Sequence, residues 1–369
     1  MKVLVWSGIP LFGHKGCRIH YLLPAALGEL GHEVYFSAHP LKVSEFPDRL
    51  QGQIASHLHL IPPTEIADCL PVDTFLYIDC TPEGVNFYAQ DKCPLPHWEE
   101  VREQVGNFVY ICLDYWEDWL LEVLRKRNRS VREVEEAEKR IVNLSTHITA
   151  VSPQLCIYLA RKYGREVHWL PNAAPPFFSV CKTPKKDRKQ IALIIGGAWY
   201  RDLEGVKKLA REHQDWDFFW IGGLKYPFTQ GFSPAGNLFL LQDRDPDAIL
   251  TVASKALVGI IPNRRNWFNY FSDPLKWYIY HVCGLPVVSV KVFHHSQFPD
   301  FYPNTWAGDD LERTFRAFLK DLPSLTYPQP VVGFHTYQHR AKALLGILEG
   351  KVIYGKATPD GSFHRGDNL

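Results

Sequence analysis

Short apolar runs alternate with amphipathic stretches along the whole chain. Residues 2–6 (KVLVW) are apolar on consecutive positions and stop at Ser7-Gly8, the signature of a strand buried on both faces. From about residue 18 to 30, Ile19, Leu22, Leu23, Ala26, Leu27 and Leu30 recur at helical spacing, and Gly31 is placed to end the helix. Residues 32–37 form the next strand. The same alternation predicts strands at 74–79, 108–113, 148–151 and 167–170, with helices at 131–144 and 153–163. It pauses at 173–190, where prolines and a basic run carry no hydrophobic period and read as a linker. It then restarts. Strands are expected at 191–195, 217–221, 238–241, 257–261 and 286–290, and helices at 203–213, 246–254, 274–283, 311–319 and 337–348. Repeated β/α alternation on both sides of a linker predicts two doubly wound, Rossmann-like α/β domains with mostly parallel sheets, facing each other across a cleft.

Composition narrows the function. The chain has 369 residues, 46% hydrophobic and 14% aromatic, too apolar to be disordered. Its 41 basic and 40 acidic residues argue against a generalist nucleic-acid binder. The halves differ: residues 1–172 hold 17 basic against 22 acidic residues, and 173–369 hold 24 against 18. An anionic ligand is therefore expected in the second half. The longest apolar stretches fall short of the ~20 residues of a spanning helix. The N-terminus lacks the long apolar core of a secretory signal, so a cytoplasmic location is expected. Eight cysteines without CxxC spacing read as reduced, buried thiols rather than a zinc motif.

Glycines stand where strands end: Gly8, Gly13 and Gly16 in the first half, Gly196-Gly197 and Gly222-Gly223 in the second. Such glycines let backbone N–H groups approach phosphate oxygens. None of them forms GxGxxG or GxxxxGK[ST], so dinucleotide and P-loop readings lose support.

Residues 272–288 (SDPLKWYIYHVCGLPVV) resemble the P-x-K-x-x-E-Y-x-A-x-G-x-P-V-V passage of GT-B glycosyltransferases. Other pieces fall in the family's order: 149–155 (TAVSPQL), 170–173 (LPNA), 195–198 (IGGA) with Asp202, and Ile221-Gly222. Residues 109–114 (VYICLD) are similar to a stretch in bacterial relatives, including xanthan-type glucuronosyltransferases. The resemblance covers most of 1–350. It departs at Ile279, where many retaining members carry the Glu that binds the donor ribose, and at Ala173, where the family has Gly. It implies an acceptor-binding domain at 1–172, a nucleotide-sugar domain at 191–335, and a helix in 336–369 that crosses back to the first domain, followed by a tail. The activity implied is sugar transfer from a nucleotide-diphosphate donor, a UDP-sugar by preference, to a hydroxyl of a glycan, glycolipid or small molecule, as in polysaccharide biosynthesis. No metal or resident cofactor is expected. The rivals are a GT-B-fold nucleotide-sugar epimerase and a non-catalytic sugar- or nucleotide-binding protein.

Residue roles follow. Matching position assigns Lys276 to the diphosphate, whose developing charge needs cations or backbone N–H groups. Gly196, Gly197 and Gly222 would admit phosphate or sugar to the backbone. Ile261 and Pro262 would line the base by backbone contacts, and Arg264 with Arg265 would assist. Ser272 either bonds phosphate or caps the following helix. Inverting transfer needs a general base. Asp114, at the end of an apolar strand, is favoured, with Glu117 and Asp118 as rivals. His14 and His20 flank the first glycine loop and could bind acceptor or act as base, beside Gly13 and Lys15. Asp243-Arg244-Asp245 fits a metal-binding D-x-D, but its place before a helix suits capping. The basic run at 125–129, near Trp116 and Trp119, suggests contact with an anionic membrane face or a lipid-linked acceptor.

Overall fold

In the computed structural model, described over residues 1–7, 11–12, 19–38, 41–42, 56–79, 97–115, 131–197, 201–222, 236–242, 246–290 and 297–366, the chain divides into two compact units. The first is Met1–Asn172 with Phe271–Asp273 and Tyr337–Leu369; the second is Ala173–Tyr270 with Pro274–Thr336.

The first unit begins with strands β1 (Lys2–Ser7), β2 (Leu11–Phe12), β3 (Glu33–Ala38), β4 (Leu41–Lys42), β5 (His59–Ile61), β6 (Val72–Asp79), β7 (Val105–Cys112), β8 (His147–Ala150) and β9 (Val167–Trp169). Between them lie helices α1 (Ile19–Glu29), α2 (Trp98–Glu103), α3 (Val131–Leu144) and α4 (Pro153–Tyr163). β2 and β4 pair separately. The rest form a parallel sheet in the order β9-β8-β7-β6-β1-β3-β5. The runs read as apolar are buried: Val3, Leu4 and Val5 on β1, and Phe108 to Ile111 on β7, are all at 1% exposure or less. Local chemistry sets the ends of α4. Ser152 accepts a hydrogen bond from Leu155 N at 3.2 Å, Pro153 opens the first turn, and Gly164 closes the helix at φ 65°.

The second unit contains β10 (Ile191–Ile195), β11 (Asp217–Ile221), β12 (Leu238–Leu241), β13 (Val258–Ile261), β14 (Val287–Val290) and β15 (Thr305–Gly308). Its helices are α5 (Leu203–Glu212), α6 (Pro246–Ala253), α7 (Trp267–Phe271), whose last residue belongs to the first unit, α8 (Leu275–Val282) and α9 (Leu311–Asp321). All six strands are parallel, in the order β12-β11-β10-β13-β14-β15. Strand order reverses between β10 and β13. Its core joins Trp216, Phe218 and Trp220 to Phe315 and Phe318 on α9.

The chain then returns to the first unit. α10 (Tyr337–Leu348) packs on α1. β16 (Gly355–Ala357) adds antiparallel to β9, and β17 (Phe363–Arg365) adds to β16. Residues 173–190, expected as a linker, are packed into the second unit. Ala174, Phe178 and Cys181 are buried, and the buried Arg188 donates to the carbonyls of Thr183, Cys181, Ala253 and Ala256 at 2.7–3.2 Å. Cys69, Cys112, Cys156, Cys181 and Cys283 are free and buried. Among the described residues no helix is long and apolar enough to cross a membrane.

Candidate functional site

An open parallel sheet offers its ligand crevice at the carboxyl ends of the strands, where strand order reverses. In the second unit that point is between β10 and β13, and the expected glycines stand at it or beside it. Gly196 follows β10 at φ 105°, and Gly222 follows the neighbouring β11 at φ 115°. Both conformations strain any residue with a Cβ. Close approach adds a second demand: a Cβ on Gly222 would lie 3.2 Å from the backbone of Gly196, and one on Gly196 would lie 2.8 Å from Cε of Lys276. Lys276, on the first turn of α8, thus lays its chain over a bare backbone turn. The N–H groups of Gly196 and Gly222 are themselves spent on Ile221 O and Leu241 O, at 2.8 Å each, so these glycines give room beside a cation rather than backbone donors.

Tyr280, one turn further along α8, holds this edge open. Its hydroxyl accepts from Ile195 N at 2.8 Å and donates to Ile260 O at 3.1 Å, and so stands between the ends of β10 and β13. Its ring fills the space a side chain on Gly259 would need. Burial pushes its hydroxyl well above the ordinary tyrosine range, so it stays a neutral donor and acceptor.

Sequence reasoning missed two residues here. Arg201 is only 9% exposed, and its guanidinium meets no carboxylate among the described residues. Burial draws its pKa down to about 10, partly offset by Tyr280 beside it. Asn263 is 2% exposed, and neither its Nδ2 nor its Oδ1 has a hydrogen-bond partner among the described residues. An antiparallel backbone bridge pairs the two residues. Their only trace in the sequence is position: each closely follows a predicted strand.

The other expected residues fall as follows. Gly197 is half-buried on the same loop. Ile261 and Pro262 are buried at the end of β13, but their carbonyls accept from Asn263 N at 3.0 Å and Asp202 N at 2.7 Å, and proline has no N–H to give. Arg264 is exposed, and Arg265 pairs with Asp309. Ser272 does not cap α8, whose cap residue is Pro274 without a side-chain bond. Phe271–Asp273 instead groups with the first unit, where Asp273 accepts from Asn172 N at 2.6 Å. Asp202 caps α5 through Gly205 N at 2.9 Å.

In the first unit, Asp114 is half-buried two residues beyond β7. Beside it Tyr115 packs on Tyr158 and Phe271, with ring centroids at 5.3 and 4.6 Å. His20 is buried on the first turn of α1, at 5% exposure. Gly13, His14, Lys15, Glu117, Asp118, the basic run at 125–129, Gly223 and Asp243-Arg244-Asp245 lie outside the described residues. No group of three His, Cys, Asp or Glu side chains placed to hold a metal occurs among those described.

No family model matches the chain. Over 212 residues it is 27% identical to TuaH of Bacillus subtilis (strain 168), a protein ascribed to teichuronic acid biosynthesis as a glycosyltransferase. That match covers 53% of this chain and 51% of TuaH, so the chain spans about half the length of the curated relative it matches. Among solved structures it is similar to an alpha-glucosyltransferase in complex with UDP-glucose and DNA containing an abasic site. There the TM-score is 0.56 and the identity 13%, over 93% of both chains. It is similar also to AviGT4, a glycosyltransferase involved in avilamycin A biosynthesis, with TM-score 0.52 and 13% identity over 95% of this chain and 99% of that one. Two α/β units with these similarities define the GT-B fold. That is the class to which the architecture assigns this chain.

Proposed function

We propose that the chain is a glycosyltransferase that moves a sugar from a nucleotide-diphosphate donor, held by the second unit, to an acceptor hydroxyl held by the first. The observation that carries the reading is the strand-order reversal point of the second sheet. There two positive-φ glycines, their own N–H groups already bonded to Ile221 O and Leu241 O, leave room free of side chains, Lys276 lies across one of them, and Arg201 is a buried cation with no carboxylate partner among the described residues. A diphosphate seated over the bare glycine turn would meet both cations at once. As the sugar leaves, negative charge grows on that diphosphate, and cations already fixed around it stabilise the transition state. The reaction proposed needs no metal, so turnover is expected to persist in EDTA.

In this reading Asp114 is the base that takes the acceptor proton. UDP is the favoured nucleotide, since UDP-glucose is bound by the alpha-glucosyltransferase of the same fold. The acceptor proposed is a glycan or lipid-linked glycan, in line with the pathway ascribed to TuaH, and the basic run at 125–129 would meet an anionic membrane face. A cytoplasmic location belongs to the same proposal.

The test is a calorimetric screen of UDP, GDP and dTDP, followed by donor turnover with and without glycan acceptors. Binding plus acceptor-dependent release of the nucleotide is the expected result. Conversion of UDP-N-acetylglucosamine without acceptor would instead make the chain an epimerase. Binding without any turnover would make it a sugar-nucleotide binder.

A further inference from the structure

We propose that Asn263 is the residue of the donor site that reads a hydroxyl of the transferred sugar. This rests on the donor-binding reading above. Asn263 directly follows β13 and Pro262 at the strand-order reversal, 2% exposed, with both amide atoms unpartnered among the described residues. A buried carboxamide that makes none of its bonds is unfavourable, and cores avoid it. An apolar side chain would serve packing better at this place. The neighbouring backbone is already engaged: the carbonyls of Ile261 and Pro262 accept from Asn263 N and Asp202 N. The polar group left wholly unmet at the end of this strand, among the described residues, is the Asn263 side chain.

The chemistry of the missing partner follows from the two atoms. Nδ2 must donate and Oδ1 must accept, so the ligand group both accepts and donates. An ionised phosphate only accepts and leaves Oδ1 unmet. A hydroxyl does both. The backbone bridge to Arg201, whose guanidinium calls for an anion, puts that hydroxyl next to a phosphate. In a nucleotide-sugar the first hydroxyls of the transferred sugar are such neighbours; the ribose hydroxyls are the rival, which UDP carries as well and the comparison of UDP with UDP-glucose separates, whereas the edge of the base lies beyond the ribose.

The experiment measures binding of UDP and of UDP-glucose, or the GDP or dTDP pair if that nucleotide is the one bound, to the full chain and to Asn263→Ala, Asn263→Ser and Arg201→Met. Thermal unfolding without ligand runs in parallel. Asn263→Ala is expected to weaken UDP-glucose about tenfold, the loss of one or two hydrogen bonds, and to leave UDP within about twofold. Asn263→Ser, which keeps one group that donates and accepts, recovers part of the loss. Arg201→Met weakens both ligands together. Ligand-free Tm does not fall in the Asn263 variants, because no protein partner is lost. Unchanged UDP-glucose affinity in Asn263→Ala overturns the proposal. An equal loss for UDP and UDP-glucose places the hydroxyl or the paired edge on the nucleoside and overturns the assignment to the sugar. A drop in Tm with unchanged affinities makes the residue structural. Failure of the unmutated chain to bind any of these ligands overturns the donor-site reading itself, and the assignment of Asn263 falls with it.

Discussion

Arg340 in the first unit and Arg201 in the second are both enclosed guanidiniums, and the protein treats them differently. Arg340 is fully buried. It donates to the carbonyls of Pro171 and Asn172 at 2.8–3.0 Å and to the Tyr354 hydroxyl at 2.5 Å, and it lies over the Tyr354 ring. Glu138, also in the first unit, is equally well met: Tyr110, Lys162 and Tyr163 all donate to it. Arg201 has no such shell among the described residues, and burial draws its pKa down with only Tyr280 opposing. A buried charge that the fold itself satisfies is architecture. One left unmet at a strand-order reversal is a place kept for a ligand. The contrast is between sites and not whole units, for Arg188 in the second unit is as well met by carbonyls as Arg340 is in the first.

The largest expected effect tests the first unit's chemical role. Asp114→Asn keeps the shape of the side chain but removes a base. Loss of general-base catalysis costs about a hundredfold to ten-thousandfold in turnover. Donor affinity, which the proposal assigns to the second unit, is expected to stay unchanged. Full activity in this variant makes Asp114 a bystander and leaves Glu117 and Asp118 to be tried.

Next in size is the architectural arginine. Arg340→Met leaves carbonyls without donors and removes the link between α10 and Asn172. Leaving a buried acceptor unmet costs about 1–3 kcal/mol, and Arg340 meets two carbonyls and a hydroxyl. Urea unfolding is the measurement. A loss below about 1 kcal/mol, the scale of an exposed pair, would erase the contrast between Arg340 and Arg201.

Lys276→Ala sharpens the same contrast from the ligand side. One charge-assisted hydrogen bond to phosphate is worth about 1.5–3 kcal/mol, so nucleotide-diphosphate affinity should fall roughly tenfold to a hundredfold. Ligand-free stability should change little, because the Lys276 side chain is half-exposed at the opening of the crevice. Unchanged affinity removes Lys276 from the diphosphate site.

Most strands and helices were legible because burial on both faces of a parallel sheet demands consecutive apolar residues, as in Ile191–Ile195. The elements that escaped are those without this constraint. β15 is half-buried at every position, β5 has three residues, and the C-terminal hairpin is short and edge-placed. Residues 173–190 misled for another reason. Their order comes from scattered single contacts, chiefly Arg188 and Lys185 collecting carbonyls across the unit, and no periodicity records that. In the site, glycines after apolar runs announced themselves, and Lys276 came through a motif. Arg201 and Asn263 did not, because what marks them is the absence of partners, which only three dimensions reveal.

The smallest effect compares the units through one histidine each. Burial lowers His168 in the first unit and His281 in the second from 6.5 to about 4. Folded, both are neutral near pH 5, while in the unfolded chain they are largely protonated. The unfolded state therefore binds more protons between pH 6.5 and 4, and stability rises with pH across that window. The contribution is complete above about pH 6.5 and is lost as pH falls towards 4. Each histidine adds at most about 1.4 kcal/mol per pH unit to the slope. His168→Phe and His281→Gln remove one titration each. Gln keeps an acceptor for Val332 N, which now bonds His281 Nε2 at 2.8 Å. Unfolding free energies at pH 5 and 7.5 should differ less in each variant than in the parent, by about 1–2 kcal/mol. If only His168→Phe flattens the profile, the acid sensitivity lies in the first unit's sheet alone. If neither does, burial does not hold these imidazoles neutral.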